Sequence, residues 1–282
     1  MNISDMQYTI SCCDYMSPNE KYLLYINTCK IYDIFHMSYT ELFDLHVITG
    51  ISIEKIYRLA HSDKTYEFDK IRMIDIYDNE YPFLLKQTYG CPIVLFMIGK
   101  IPLEPCISIV GSRIHTDYGQ RMAYELSSYL SQKGYCIVSG MAKGIDSICH
   151  KGALKYGSTI AVLGNGPDIC YPKENSGIYQ MIKYKGAVIS EYPPSVMPQK
   201  YHFPQRNRII SGLSSVTVVI EANSKSGSLI TANYALSQNR EVFVFPNYID
   251  TGYNGTNLLI KDGAGIITDI AEFYEEIKCI EI

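Results

Sequence analysis

The sequence predicts an α/β fold: a mainly parallel sheet with helices on both faces, preceded by a small helical domain. Two observations lead there. Short β-rich apolar runs alternate with amphipathic segments of helical period from about residue 93 to 245, the signature of repeated strand–helix–strand units. The runs are apolar at nearly every position, as strands covered on both faces must be. A chain of 282 residues that is 47% hydrophobic has enough apolar surface to cover such a sheet and still build a second, smaller unit. The pattern is that of a Rossmann-like, doubly wound domain.

The elements follow in order. Over 17–60, Tyr22, Leu23, Tyr25 and Ile26, and again Ile53, Ile56, Tyr57 and Leu59, recur at helical spacing, with Asn27 and Gly50 as breakers. The polar stretch 61–69 marks a boundary. The expected domains are therefore 1–65, helical, and 66–282, the Rossmann-like domain ending in an acidic helix over 269–278. Expected strands are 93–99, 106–110, 135–139, 159–164, 187–190, 216–221 and 241–245. Expected covering helices are 118–133, 145–156, 177–184 and 229–238. No internal repeat or low-complexity segment interrupts them.

Charge and cysteine usage narrow the function classes. The net charge is −4, against the broad basic surface of a strong duplex binder. It is unevenly distributed: residues 106–210 carry 12 Lys and Arg against 6 Asp and Glu, and the rest of the chain 13 against 23. A local phosphate site on an acidic body fits this asymmetry. Nine cysteines with no CxxC pair and no Cys/His cluster at zinc spacing point to a reduced compartment, buried thiols and no metal. Neither a membrane span nor a signal peptide is recognisable, so a soluble cytoplasmic protein is expected.

In parallel sheets ligands sit beyond the carboxyl ends of strands, and four such loops carry unusual residues. After 106–110 come Gly111, Ser112 and Arg113: a tight turn, a hydroxyl with nearby amides, and a forked donor for phosphate. After 135–139 come Ser139, Gly140, Met141, Ala142, Lys143 and Gly144, which set Lys143 at a helix entrance and suggest an anion site. Neither this loop nor Gly164, Asn165 and Gly166 completes a Walker A or GxGxxG pattern, so nucleotide cofactors are not expected. Asp146 and His150, four apart, share a helical face and fit an acid/base pair or metal ligands; the stronger reading is dipole complementation by Asp146 with His150 paired to it.

The third segment, 200–210, is the densest. Lys200, Tyr201, His202, Phe203, Gln205, Arg206, Asn207 and Arg208 interleave cations with rings and amides, the combination that tracks a single strand and stacks its bases. The weaker alternative is that Arg206 or Arg208 serves instead as a buried ion-pair partner of Glu191 or Glu221. In the fourth, Ser226, Gly227 and Ser228 precede a helix, where a serine can cap and free amides can receive an anion. A catalytic serine has no support, since GxSxG is absent.

Taken together these segments resemble the DprA/Smf family of DNA-processing proteins over roughly 81–264. The resemblance rests on Tyr81 and Pro82, Gly111 to Arg113, Ser139 and Gly140, Gly144 to Asp146, His150, Tyr171 and Pro172, Ser190 and Glu191. It continues through Phe203 and Pro204, Arg206 to Arg208, 226–232, Gly255 to Asn257 and Gly263. It implies an extended Rossmann domain that binds single-stranded DNA without turnover, assembles as a homodimer, and helps load the RecA recombinase in natural transformation; no cofactor is expected. The DNA contacts it implies are Gly111, Ser112, Arg113, Lys200, Phe203, Arg206, Asn207 and Arg208. Lys143 joins them from its own loop, with Ser139, Gly140, Ser226, Gly227 and Ser228 as further phosphate contacts.

Three departures accompany the match. Asn247 follows Pro246 where relatives usually have glycine. The chain ends soon after Ala264, so the winged-helix domain of many relatives is not expected. The N-terminal helices match the helix-hairpin-helix-like domain of relatives only loosely. The alternative function is a nucleotide phosphoribohydrolase-like enzyme, whose PGGxGT-type loop is absent from 223–228, or a small-nucleotide sensor on the same fold.

Overall fold

Alternation of side chains along each strand divides the apolar residues between two faces of one sheet. Ile107 and Ile109 point one way, Ser108 and Val110 the other; Val216 and Val218 oppose Thr217 and Val219 in the same manner. The structure, a computed structural model, describes residues 3–28, 34–62, 71–249 and 252–280. Among them lie nine strands: β1 (Arg72–Asp75), β2 (Val94–Gly99), β3 (Cys106–Val110), β4 (Cys136–Ser139), β5 (Thr159–Leu163), β6 (Ala187–Ser190), β7 (Val216–Val219), β8 (Glu241–Val244) and β9 (Gly265–Ile266).

The sheet order is β1-β2-β6-β5-β4-β3-β7-β8-β9. From β3 to β9 every pairing is parallel, while β2 runs antiparallel to β6 and β1 antiparallel to β2. The expected α/β sheet is thus present, and all seven strands read from the sequence fall in place. The two left unread are β1, only four residues long with a charged residue at each end, and the two-residue β9. The chain lays β4, β5 and β6 to one side of β3 and then crosses to β7 on the other. Loops after β3 and β7 therefore diverge, and a crevice opens at their carboxyl ends.

Among the described residues twelve α-helices surround the sheet. The first four, α1 (Ile3–Cys12), α2 (Pro18–Thr28), α3 (Tyr39–Thr49) and α4 (Ile53–Ala60), precede β1. A capping box of Ser38 and Glu41 starts α3, and Gly50 at φ 69° ends it. Then come α5 (Phe83–Lys86), α6 (Asp117–Gln132), α7 (Ile145–Leu154), α8 (Ser176–Lys185), α9 (His202–Gly212), α10 (Gly227–Ser237), α11 (Gly255–Lys261) and α12 (Ile270–Ile277). On one face α6, α7 and α12 cover Ile107, Ile109, Ile137 and Val218 with Leu126, Cys149 and Phe273. On the other, α9 and α10 cover Val110, Val138 and Val219, in a core continuous with Ile10, Leu24, Leu42 and Ile56 of the first helices. The boundary expected at 65/66 lies outside the described residues. The cysteines described, eight in all, are free thiols.

Candidate nucleic-acid interface

The crevice between β3 and β7 is an open cavity of about 860 Å³. Gly111, Ser112 and Arg113 enter it from the end of β3, and 223–228 from the end of β7. The start of α9 supplies Phe203, Arg206 and Asn207; Lys200 stands just before it, and Tyr171 reaches in from the loop after β5. The segment 200–210, read from sequence as a contact strip, is for the most part this helix. Its far end is pinned to the sheet by Ser108 Oγ, which donates to the carbonyl of Ile210 at 2.6 Å.

The cavity floor is built of buried charge. Arg206 is buried and donates to the carbonyls of Gly140 at 2.6 Å and Val162, joining the ends of β4 and β5. Gly140 must be glycine: a Cβ there would stand 2.6 Å from the Arg206 guanidinium. Asp146, equally buried, accepts the amides of Gly140 and Ala142 at 3.2 and 3.4 Å, and that of Gly111. Desolvation raises the Asp146 carboxyl, opposed chiefly by the charge of Arg206. Desolvation also lowers Arg206 to about 10, with Asp146 acting against it, so the guanidinium stays charged at neutral pH.

These contacts correct several expectations. The amides of Gly111 and Gly140 were expected to receive phosphate, but an internal carboxylate already occupies them. Ser139 is fully buried and donates to Ile109 O at 2.7 Å, and neither it nor Gly140 lines the cavity. Lys143 also lies outside the lining, ion-paired with Glu174 on the surface. Arg208 points away from the crevice and pairs with buried Glu191 at 2.6 Å, which is the ion-pair role left open for it. His150 does not pair with Asp146. Its Nδ1 lies 2.7 Å from Thr159 Oγ1, whose own hydroxyl donates to Ile137 O, so Nδ1 carries the proton and donates.

The rim is different in kind. Arg113 and Lys200 are exposed and have no carboxylate within ion-pair distance among the described residues. The Arg113 guanidinium lies 5.7 Å from the centre of the Phe203 ring, and the Tyr171 ring lies 5.7 Å from Phe203 on a tilted plane. Asn207 spans floor and rim, donating to Gly227 O at 3.1 Å and so tying α9 to the loop before α10. Ser226 caps α10 by accepting Ser228 N at 3.3 Å. Sequence reasoning missed Lys225, Tyr171 and Tyr253 in the lining. The turn flagged at Asn247 is held by its own side chain, which donates to buried Glu221 at 3.1 Å, while Asn257 bonds its backbone on both sides.

The family profile described as DNA recombination-mediator protein A matches residues 72–278. The DNA processing protein DprA of Bacillus subtilis is 41% identical over 231 residues, 80% of this chain and 78% of that protein. The crystal structure of DNA processing protein A from Streptococcus pneumoniae superimposes with a TM-score of 0.85 at 32% identity, covering 98% of both chains. The Helicobacter pylori protein, solved for its single-stranded DNA binding mode, gives 0.68 at 30% identity over 74% of this chain and 95% of that one. On the profile and on these relatives, the chain belongs to the DNA processing protein A (DprA/Smf) family.

Proposed function

We propose that the β3/β7 crevice binds single-stranded DNA without sequence specificity. The observation that carries this reading is the rim: unpaired cations of Arg113, Lys200 and Lys225 stand around the accessible rings of Phe203 and Tyr171. Such cations neutralise any backbone, and a ring stacks on any base, so neither element reads sequence. The Helicobacter pylori relative, described for its single-stranded DNA binding mode, supports the single strand as ligand. We further propose that the chain acts in the cytoplasm as a homodimer, without turnover, and hands incoming strands to the RecA recombinase during natural transformation. No helix among the described residues is long and apolar enough to cross a membrane.

The experiment is fluorescence anisotropy of labelled oligo-dT and a matched duplex at two salt concentrations. The expected result is preference for the single strand with affinity falling steeply with salt, because several phosphates are contacted. The cavity's volume also suits a small ligand. Weak salt dependence together with mononucleotide binding would favour the nucleotide-sensor or phosphoribohydrolase reading instead.

A further inference from the structure

We infer that the bound strand does not end in the crevice but crosses the Arg113 loop into a second groove between α6 and α7. This rests on the reading of the crevice as a single-strand site. The loop after β3 faces two cavities with consecutive residues: Arg113 and Ile114 line the crevice, and His115 lines a separate cavity of about 300 Å³. The second cavity is bounded by Gln120 and Tyr124 of α6 and by Ser147, Ile148 and Lys151 of α7. Ile114, 78% exposed, lines the crevice on the loop between Arg113 and His115. An apolar side chain left in water between two polar hollows is accounted for when a base rests on it.

The groove is pre-formed. Gly152 lets the two helices approach so closely that a Cβ there would lie 2.1 Å from Ser127 Oγ and 2.8 Å from the Tyr124 carbonyl. Ser128 and Ser131 of α6 donate across the contact to the carbonyls of Gly152 and Ala153, at 3.2 and 2.9 Å. The loop is clamped as well: Ile145 N donates to Ser112 O at 3.1 Å, and Gly144, at φ 78°, leaves no room for a side chain beneath the Arg113 carbonyl. A fixed surface costs little ordering entropy when a ligand settles on it.

Its chemistry is that of the crevice rim. Lys151 is exposed, and no carboxylate lies within ion-pair distance of it among the described residues; Lys155, the residue that caps the end of α7, is likewise unpaired by carboxylate. Tyr124, 39% exposed, and Tyr156, 50% exposed, offer rings beside them. Asp117 and Glu125 are the acidic residues of α6, and both are exposed. Cations with adjoining rings are the requirements of a single-strand track, and the buried acids nearby are already engaged: Asp146 of α7 by the amides of Gly140 and Ala142, and Glu221 by Thr116 and Asn247.

The test compares two dT oligomers, of about five and about twenty nucleotides, a range that brackets known single-strand site sizes. Unmodified protein should bind the longer one much more tightly. Lys151→Glu, alone and with Tyr124→Ala, should weaken the longer oligomer about tenfold and lower its salt slope by about one phosphate's share. The same variants should leave the shorter oligomer unchanged. Lys100→Glu, exposed at the opposite end of the sheet, should alter neither. Full retention of long-oligomer affinity by folded Lys151→Glu protein overturns the groove while leaving the crevice standing. Failure of unmodified protein to bind either length overturns both.

Discussion

Floor and rim of the crevice use the same residue types for opposite ends. On the floor, Arg206, Asp146 and Asn207 are at least nine-tenths buried and their polar atoms turn to protein partners. On the rim, Arg113, Lys200 and Lys225 are exposed and face solvent. Two arginines in one α-helix show the contrast at closest range with the loop residue Arg113: Arg206 bridges strand ends, and Arg208 answers buried Glu191 just after β6. Charge density along a sequence therefore says little about which charges a ligand meets. Burial decides it, because a desolvated cation must be matched internally.

The largest effect should come from the floor. Arg206→Ala leaves Asp146 buried beside an unfilled space and removes the bridge to Gly140 and Val162. Loss of one partner from a buried charge set costs about 3–5 kcal/mol, so urea denaturation should show a greatly destabilised or unfolded protein. Arg208→Ala strands Glu191 in the same way, at about 3 kcal/mol. Yet the fraction that folds should bind dT oligomers as before. A folded Arg208→Ala protein of normal stability and poor DNA affinity would erase the distinction between floor and rim.

His150 gives the floor's neighbourhood a pH signature of intermediate size. Burial pushes the ring down to about 3, with Arg206 acting in the same direction, and its Nε2 has no partner. Below the ordinary value near 6.5 the unfolded chain takes up a proton that the folded chain refuses. Stability should then fall as pH drops from about 6.5 toward 3, by up to about 1.4 kcal/mol per pH unit. Asp146, raised by burial, acts oppositely: the folded chain holds its proton more firmly, which favours folding as acid protonates it. His150→Asn, which can keep a donor toward Thr159, should flatten the acid limb measured by thermal denaturation at several pH values. A limb identical to that of unmodified protein would show that the histidine charges inside the fold.

The sheet was largely legible because apolar strands and turn residues encode it locally. Residues 106–110 and 187–190 coincide with β3 and β6 end to end. The site was legible by loop and less so by residue. The segment 200–210 reads as a basic strip because sequence lists its charges side by side, whereas α9 disperses them over a full turn of directions. The amides around Gly140 read as a phosphate cradle because nothing local reveals that Asp146, six residues on, folds back to fill it. Lys225 carries no signal in the sequence, because a lone exposed lysine beside a helix cap forms no pattern.

The rim supplies the two smaller effects. Arg113→Ala removes a cation that stands over Phe203 and should weaken oligo-dT binding about tenfold, near 1.4 kcal/mol, with unfolding stability unchanged because no internal partner is lost. Lys225→Ala should weaken it only about threefold. Its backbone is fixed by Asn223, whose side chain accepts Lys225 N at 3.0 Å and whose carbonyl accepts Ser226 N at 3.0 Å, a turn that presents the side chain at the cavity mouth. A flexible ammonium there contributes as a point charge, without the fork or ring contact of Arg113. Its removal should lower the logarithmic salt slope by about 0.7 for dT oligomers of every length. Wild-type slope and affinity in the Lys225→Ala protein would confine the phosphate contacts to the side of the crevice formed by β3 and α9.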